Sequence, residues 1–238
     1  MPDPDVSGAT VDLNADLGEE VTDDAGLLAV VTSANVACGF HAGTPATMRF
    51  VCAEAARLGV VVGAQVSYAD RAHFGRVEHD VASDVLRDQV AEQVEVLDAI
   101  ARPEGTRVAY LKPHGALYHR VARDEVQAAA VLAGSGDLPV LGFPGSRLLA
   151  LAAAAGRATY DEGFPDRGYS RGRLIDRALP GALIEDGDAI AAQAVRLARD
   201  VASLCVHGDS PGAVAHARGV RRALEAAGYQ LATFVPPP

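Results

Sequence analysis

Cysteine is scarce in this sequence: Cys38, Cys52 and Cys205 are the three present, and no two make a CxxC pair. An odd count without that spacing excludes a disulfide framework and a zinc ribbon. Runs of basic residues are missing as well, and 21 Lys and Arg stand against 31 Asp and Glu, a net charge of −10. A phosphate-binding surface needs concentrated cations, so nucleic acid and anionic membrane are excluded as expected partners in favour of a small molecule. The greasiest segment, "LLALAAAAG", is too short and alanine-rich to span a bilayer. The start, "MPDPDVSGAT", has neither a basic flank nor an apolar stretch, so no secretory leader is expected and a cytoplasmic location is. The first strand is not followed by GxGxxG, and no Walker lysine motif or HExxH helix occurs.

What the chain does have is alternation. Short apolar and β-branched runs recur as "VDLNADL", "AVVTSANVAC", "GVVVGAQVS", "RVAYLKPHG", "LPVLGFPG", "ATYDEGFPD", "ASLCVHGD" and "QLATF". Helical periodicity fills most of the gaps. Met48, Val51, Cys52 and Ala55 form a stripe after Thr44 as N-cap and Pro45 at the first helical position. Leu86, Val90, Val94 and Leu97 mark a longer helix ending near Pro103 and Gly105, and Ser210–Pro211 repeat the cap-then-proline start. The βαβα order predicts a parallel sheet covered by helices. About eight strands are close to a closed barrel, so the expected fold is α/β, a distorted (β/α) TIM-like barrel. It would form one domain over residues 1–238, with residues 1–9 and 235–238 frayed.

The polar clusters fall at the C-terminal ends of these strands, which in a barrel converge on one mouth. Asp12, Asn14 and Asp16 alternate, so their side chains share a face. Turned inward, that much polarity calls for a ligand, a metal or basic partners; an exposed polar strand end is the plainer alternative. Glu19, beside Gly18, extends the cluster. His41 in "CGFHAG" has small neighbours that permit close approach of a ligand. Lys112 and His114 in "KPHG" also share a face, placing an oxyanion stabiliser beside a general base. His207 and Asp209 in "VHGD" repeat that spacing, with the carboxylate able to orient the imidazole. Arg71, Arg76, Asp166 and Arg167 fall on loops and could hold a substrate carboxylate or make surface ion pairs. His73, His79, His119 and His216 lack such a context. Converging Asp, His and Lys suit hydrolysis of an amide or ester, and Asp12, His41 and His114 are the candidate ligands if a divalent metal takes part.

The strings "VDLNADLGE", "SANVACGFHAG", "DRAHFGR", "KPHGALY", "EGFPDRGY", "GALI" and "CVHGD", in this order along nearly the whole chain, resemble the LamB/YcsF family, the A subunits of 5-oxoprolinases. The resemblance implies a distorted barrel related to deacetylase-like folds. It also implies a role in opening 5-oxo-L-proline to L-glutamate with ATP as co-substrate, hydrolysed to ADP and phosphate, together with B and C subunits. The matched positions supply a catalytic set of Asp16, Lys112, His114, His207 and Asp209. A substrate-binding set follows from Asp12, Asn14, Glu19, Asn35, His41, Arg76, Asp166 and Arg167. In this reading His114 or Asp16 activates water and Lys112 stabilises charge.

Two places depart from the family pattern. Thr44 stands where "HAGD" is usual, and Gln65 and Val66 replace the His and Pro of "GAHPS". Glutamine cannot act as a base and is a poor metal ligand. The Asp and His content of the mouth motivates one rival reading, a metal-dependent deacetylase of a carbohydrate-like substrate, and Gln65 and Thr44 motivate another, a non-catalytic lactam-binding or regulatory protein.

Overall fold

The apolar runs become parallel strands of one sheet in a computed structural model that describes residues 8–21, 23–209 and 212–236. The first half of the chain holds β1 (Thr10–Leu17), α1 (Asp24–Leu28), β2 (Ser33–Ala37), α2 (Pro45–Leu58), β3 (Val61–Val66), α3 (Ser83–Ala101) and β4 (Val108–Pro113). Then come α4 (Gly115–Val121), α5 (Glu125–Gly134), β5 (Val140–Gly142), α6 (Arg147–Ala154) and β6 (Thr159–Gly163). A small antiparallel hairpin, β7 (Tyr169–Ser170) and β8 (Arg173–Leu174), precedes α7 (Gly187–Leu197), β9 (Ser203–Val206), α8 (Ala213–Ala227) and β10 (Gln230–Leu231).

Seven strands close the barrel in the order β1-β2-β3-β4-β5-β6-β9, because β1 pairs with β2 along one edge and with β9 along the other. The eighth run, β10, pairs only with Thr10 and Val11 at the start of β1 and is not a stave of the ring. The distortion has two sources. The β3–β4 register shifts between Val62 and Gly63, and β4 meets β5 through the single pair Leu111–Val140.

Each helix lays one face on the barrel. The Thr44 hydroxyl accepts from the Thr47 amide at the head of α2, and Met48, Val51, Cys52 and Ala55 are the buried face of that helix. On α3, Leu86, Val90 and Leu97 are buried while Val94 is only partly so; Gln93 takes the inward position instead. Its side-chain oxygen accepts from the Ser67 amide (2.9 Å) and its nitrogen donates to the Ser67 carbonyl (3.0 Å), continuing β3 as a strand would. Ser210–Pro211 lie outside the described residues; the described part of α8 opens at Gly212 as N-cap.

Alternation along the strands turns one side chain in two toward the barrel axis. At the base the lining is apolar: Val61, Tyr110, Leu141 and Val235 pack together, with Phe234 against Tyr110 and Tyr160 at ring separations of 4.9 and 4.7 Å. Val235, expected to be frayed, thus helps to plug the barrel. The expected loose start is also tied where it is described, by Gly8 N–H to Gly228 O (3.2 Å) and Gln230 N–H to Ala9 O (2.9 Å). Among the described residues no helix is long and apolar enough to cross a membrane.

Gly63 marks where this packing is tightest. A Cβ there would lie 2.2 Å from two atoms of the Tyr110 ring, whose hydroxyl donates to Asn35 Oδ1 at 2.7 Å. Gly63→Ala is expected to lower the unfolding free energy by about 1–3 kcal/mol, read as a lower urea midpoint at unchanged slope. An unchanged midpoint would mean the ring has room to yield.

Candidate functional site

Above the apolar base the inner lining turns polar, and at the C-terminal ends of the strands it opens into a cavity of about 530 Å³. Asp16, Arg76, Lys112, His114, Arg167 and His207 all line it. Six residues from five separate sequence clusters therefore meet at one mouth.

Lys112 is the only lysine in the 238-residue chain. It is 3 % exposed, and its ammonium lies 2.7 Å from Glu162 Oε1, 3.1 Å from Asp16 Oδ1 and 3.1 Å from Cys205 Sγ. Burial alone would neutralise it, but Asp16 and the other acidic groups facing it hold the ammonium well above the usual lysine range. Burial likewise opposes ionisation of Asp16, yet Lys112 outweighs it and the carboxyl sits below the usual range. Glu162 is pushed up by burial, which Lys112 offsets only in part. Its Oε2 accepts from the Tyr118 hydroxyl (3.2 Å) and its Oε1 from Asn14 Nδ2 (3.2 Å). Sequence reasoning does not single out Glu162 although it opens the string "EGFPDRGY"; its two-residue offset from Tyr160, another inward position, is a second signal.

Asp12, Asn14 and Asn35 stand behind this group rather than in the cavity wall. Asn35 Nδ2 donates to Asn14 Oδ1 (2.6 Å) and Asp16 Oδ1 (2.9 Å), fixing the Asp16 carboxylate. Asp12 lies deeper. Its carboxylate accepts from the Thr32 and Ser33 hydroxyls, both at 2.6 Å, and from Ser203, while burial raises its pKa to about 6. With its oxygens so used it is a structural polar group, not the metal ligand expected.

The orienting partner of His207 is Asp166, not Asp209. The imidazole Nδ1 lies 2.8 and 3.0 Å from the two Asp166 oxygens, and the His207 amide donates to the same carboxylate at 3.0 Å. Burial opposes ionisation of Asp166, but His207 holds it below its ordinary value. A carboxylate on Nδ1 fixes the tautomer and the orientation of the imidazole ring. Asp209 instead pairs with Arg76 and, at 3.4 Å, with Arg177. Arg167 spends its guanidinium on the main-chain oxygens of Ala182 (3.0 Å) and Ile175 (2.7 Å), tying down the β7–β8 excursion. Tyr118, the last residue of "KPHGALY", also lines the cavity, as do Arg123, Arg177 and His119, which no sequence motif singles out. The string "GYSRG" at 168–172 spells the GxSxG pattern, but Ser170 ends β7 of an exposed hairpin rather than a strand-to-helix turn.

His114 has both ring nitrogens engaged. Nε2 donates to the Phe74 carbonyl (3.1 Å) and Nδ1 accepts from Gln65 Nε2 (3.0 Å), which also donates to Glu19 Oε1 (3.0 Å). Burial, with His41 beside it, holds the His114 pKa well below the usual imidazole value. His41 stacks on the same ring, centroids 4.1 Å apart. Neither His41 nor Glu19 reaches the cavity wall. Thr44 and Gln65, two of the three replaced residues, are thus accounted for locally: one caps α2 and the other bridges Glu19 and His114.

Removing the ammonium would strand two buried carboxylates. Lys112→Met is expected to cost about 3–5 kcal/mol at pH 7. Without the cation both carboxyls prefer their protonated forms in the fold, so the deficit should shrink from pH 7 to pH 5. Urea unfolding at the two pH values checks this; an equal deficit at both would contradict it.

The LamB/YcsF family model matches residues 11–237. A protein of Streptomyces avermitilis, named as the A subunit of 5-oxoprolinase, is 52 % identical over an alignment of 248 residues, covering 94 % of this chain and 99 % of that one. Among solved structures, the lactam utilization protein of Thermus thermophilus superposes with a TM-score of 0.88 at 35 % identity, covering 94 % of this chain and all 100 % of the other. A family 4 carbohydrate esterase from Streptomyces lividans shares the fold alone, with a TM-score of 0.52 at 13 % identity over 94 % of this chain and 92 % of its own. Matched from the first strand to the last described residue, this chain belongs to the LamB/YcsF family.

Proposed function

We propose that this chain is the A subunit of a 5-oxoprolinase, hydrolysing the lactam of 5-oxo-L-proline to L-glutamate in an assembly with B and C subunits that hydrolyses ATP to ADP and phosphate. The observation that carries this reading is the 52 % identity along 94 % of the chain to a relative of that name. The cavity chemistry supports it.

5-Oxoproline is a small anion built on a cyclic amide. Its carboxylate suits the cationic side of the mouth, where Arg76, Arg123 and Arg177 line the cavity. Its carbonyl suits Lys112, whose ammonium can stabilise the oxyanion formed when water adds. His207 takes a proton from that water, with Asp166 fixing its tautomer. The water oxygen bonds to the carbonyl carbon, the ring C–N bond breaks, and the ring nitrogen receives the proton His207 removed. The products are the carboxylate and amine of glutamate. This assigns the base to His207 rather than to His114 or Asp16. His207 lines the cavity and is the imidazole that a carboxylate orients, as a general base requires, whereas an Asp16 held ionised by Lys112 is a weak base. A lactam is a stable amide, and in this reading the assembly hydrolyses ATP as the ring is opened. The chain carries no Walker lysine motif, so the nucleotide is assigned to the assembly as a whole.

The test is glutamate release from 5-oxoproline and ATP by this chain mixed with its cognate B and C subunits. Glutamate is expected in the full mixture, and Asp166→Asn should lower kcat by about 10²- to 10⁴-fold in a folded protein. No glutamate from a correctly associated complex, or acetate released from an acetylated sugar in its place, would overturn the reading. Full activity in Asp166→Asn would remove the role given to His207.

A further inference from the structure

Beside the cavity, which His114 lines and the other three do not, the ends of four successive strands present Glu19, His41, Gln65 and His114 to one another. None of these has a part in the lactam chemistry above. Donor atoms of Glu19, His41 and His114 all lie within 4.8 Å of each other, and all three residues are buried. His41 is 1 % exposed, and among the described residues neither of its ring nitrogens finds a hydrogen-bond partner. Its Nε2 points to Glu19 Oε1 at 3.6 Å, too far for a hydrogen bond. Leaving a buried polar group unpaired costs about 1–3 kcal/mol. Gln65 Oε1 is a second buried atom with no partner among the described residues.

From these observations we infer that Glu19, His41 and His114 form a binding site for a divalent transition-metal ion, with the side-chain oxygen of Gln65, a weak ligand by itself, completing the set from the position it already occupies beside Glu19 and His114. In the present arrangement the Gln65 NH₂ group sits 3.0 Å from both Glu19 Oε1 and His114 Nδ1, between two acceptors that a cation would bridge. A half-turn of the amide replaces that donor with Oε1, the atom now lacking a partner. His114 is already set for ligation. Its Nε2–H is fixed on the Phe74 carbonyl (3.1 Å), which directs the Nδ1 lone pair toward Glu19, the outer hydrogen bond that metal-binding histidines use.

The surrounding loops hold this geometry at some conformational cost. Phe74 adopts φ 59°, a left-handed conformation rare for a side-chain-bearing residue. Gly75 follows at φ 67°, and a Cβ there would stand 3.0 Å from His41 Cβ and 3.2 Å from His114 Cδ2. The backbone is thus pressed onto both imidazoles. Arg71 donates to the Gly39 and Gly43 carbonyls (3.1 and 2.9 Å), clamping the loop that carries His41 from both sides. Two imidazoles, a carboxylate and an amide oxygen are a mixed nitrogen–oxygen set. That set suits zinc, cobalt or manganese rather than calcium or magnesium, which take oxygen alone.

The full chain, stripped with chelator, is titrated with Co²⁺ and followed by its d–d absorption, with Zn²⁺ competition and excess Mg²⁺ as control. One Co²⁺ per chain is expected, displaced by Zn²⁺ but not by Mg²⁺, without a thiolate charge-transfer band. His41→Ala should weaken binding by at least about tenfold, and Gln65→Leu by about tenfold. Glu19→Gln, nearly isosteric, should show the same loss as His41→Ala if that variant does not fold. No stoichiometric Co²⁺ uptake by the wild-type chain, or uptake unchanged in the folded variants, overturns the proposal. Substrate, nucleotide and partner subunits are absent from this titration, so its outcome is independent of the 5-oxoprolinase reading.

Discussion

A single ammonium group inside a closed barrel sets the terms for everything around it. Lys112 is buried, charged and irreplaceable by any other lysine of the chain. A cation in that position demands anions, and they come from the two strands that flank β9, Asp16 on β1 and Glu162 on β6. Those carboxylates in turn demand donors, which Asn35, Asn14 and Tyr118 supply. Such a buried ion cluster is a poor source of stability, because the desolvation of its members offsets most of their attraction. Its value lies in specification. A one-residue slip of β1 or β4 would turn Asp16 or Lys112 out toward the helices, so the polar lining fixes the register of the staves.

The mouth built on this cluster divides into two halves. On the β6–β9 side, the Asp166–His207 pair and the Arg76–Asp209–Arg177 group give an oriented base and a cationic wall. On the β1–β4 side, Glu19, His41, Gln65 and His114 form a closed nest under the Phe74–Gly75 turn. Lys112 belongs to the first half by function and is next but one to His114 of the second by sequence. A ligand in the cavity therefore touches the edge of the nest through His114 without entering it.

Much of this is legible in the sequence, because period-two and helical patterns are local. The Thr44–Pro45 start and the Met48 to Ala55 stripe reappear as α2, and each polar cluster sits at a strand's C-terminal end. Pairings across the chain are not legible. Asp209 is two residues from His207 and looks like its partner, but the contact goes to Asp166, some forty positions away, because β6 and β9 are neighbours in the barrel. Asp12 shares a pattern with Asp16 yet lies deeper, among hydroxyls no spacing rule reveals. Gln65, which reads in the sequence as a loss of function, is the residue that joins Glu19 to His114. The eighth run looks like a stave, but the ring closes without it, since strand count depends on tilt and stagger rather than on any one segment.

The uniqueness of Lys112 allows its charge to be read directly. Labelling the chain with isotopic lysine gives one side-chain ammonium signal, with no assignment needed, to be followed by NMR as pH rises. The account predicts that this signal keeps its ammonium shift from pH 6 to pH 10, because Asp16 and Glu162 hold the proton. A titration midpoint inside that range would show a lysine neutralised by burial, and the charge pairing on which the barrel lining is built would be wrong.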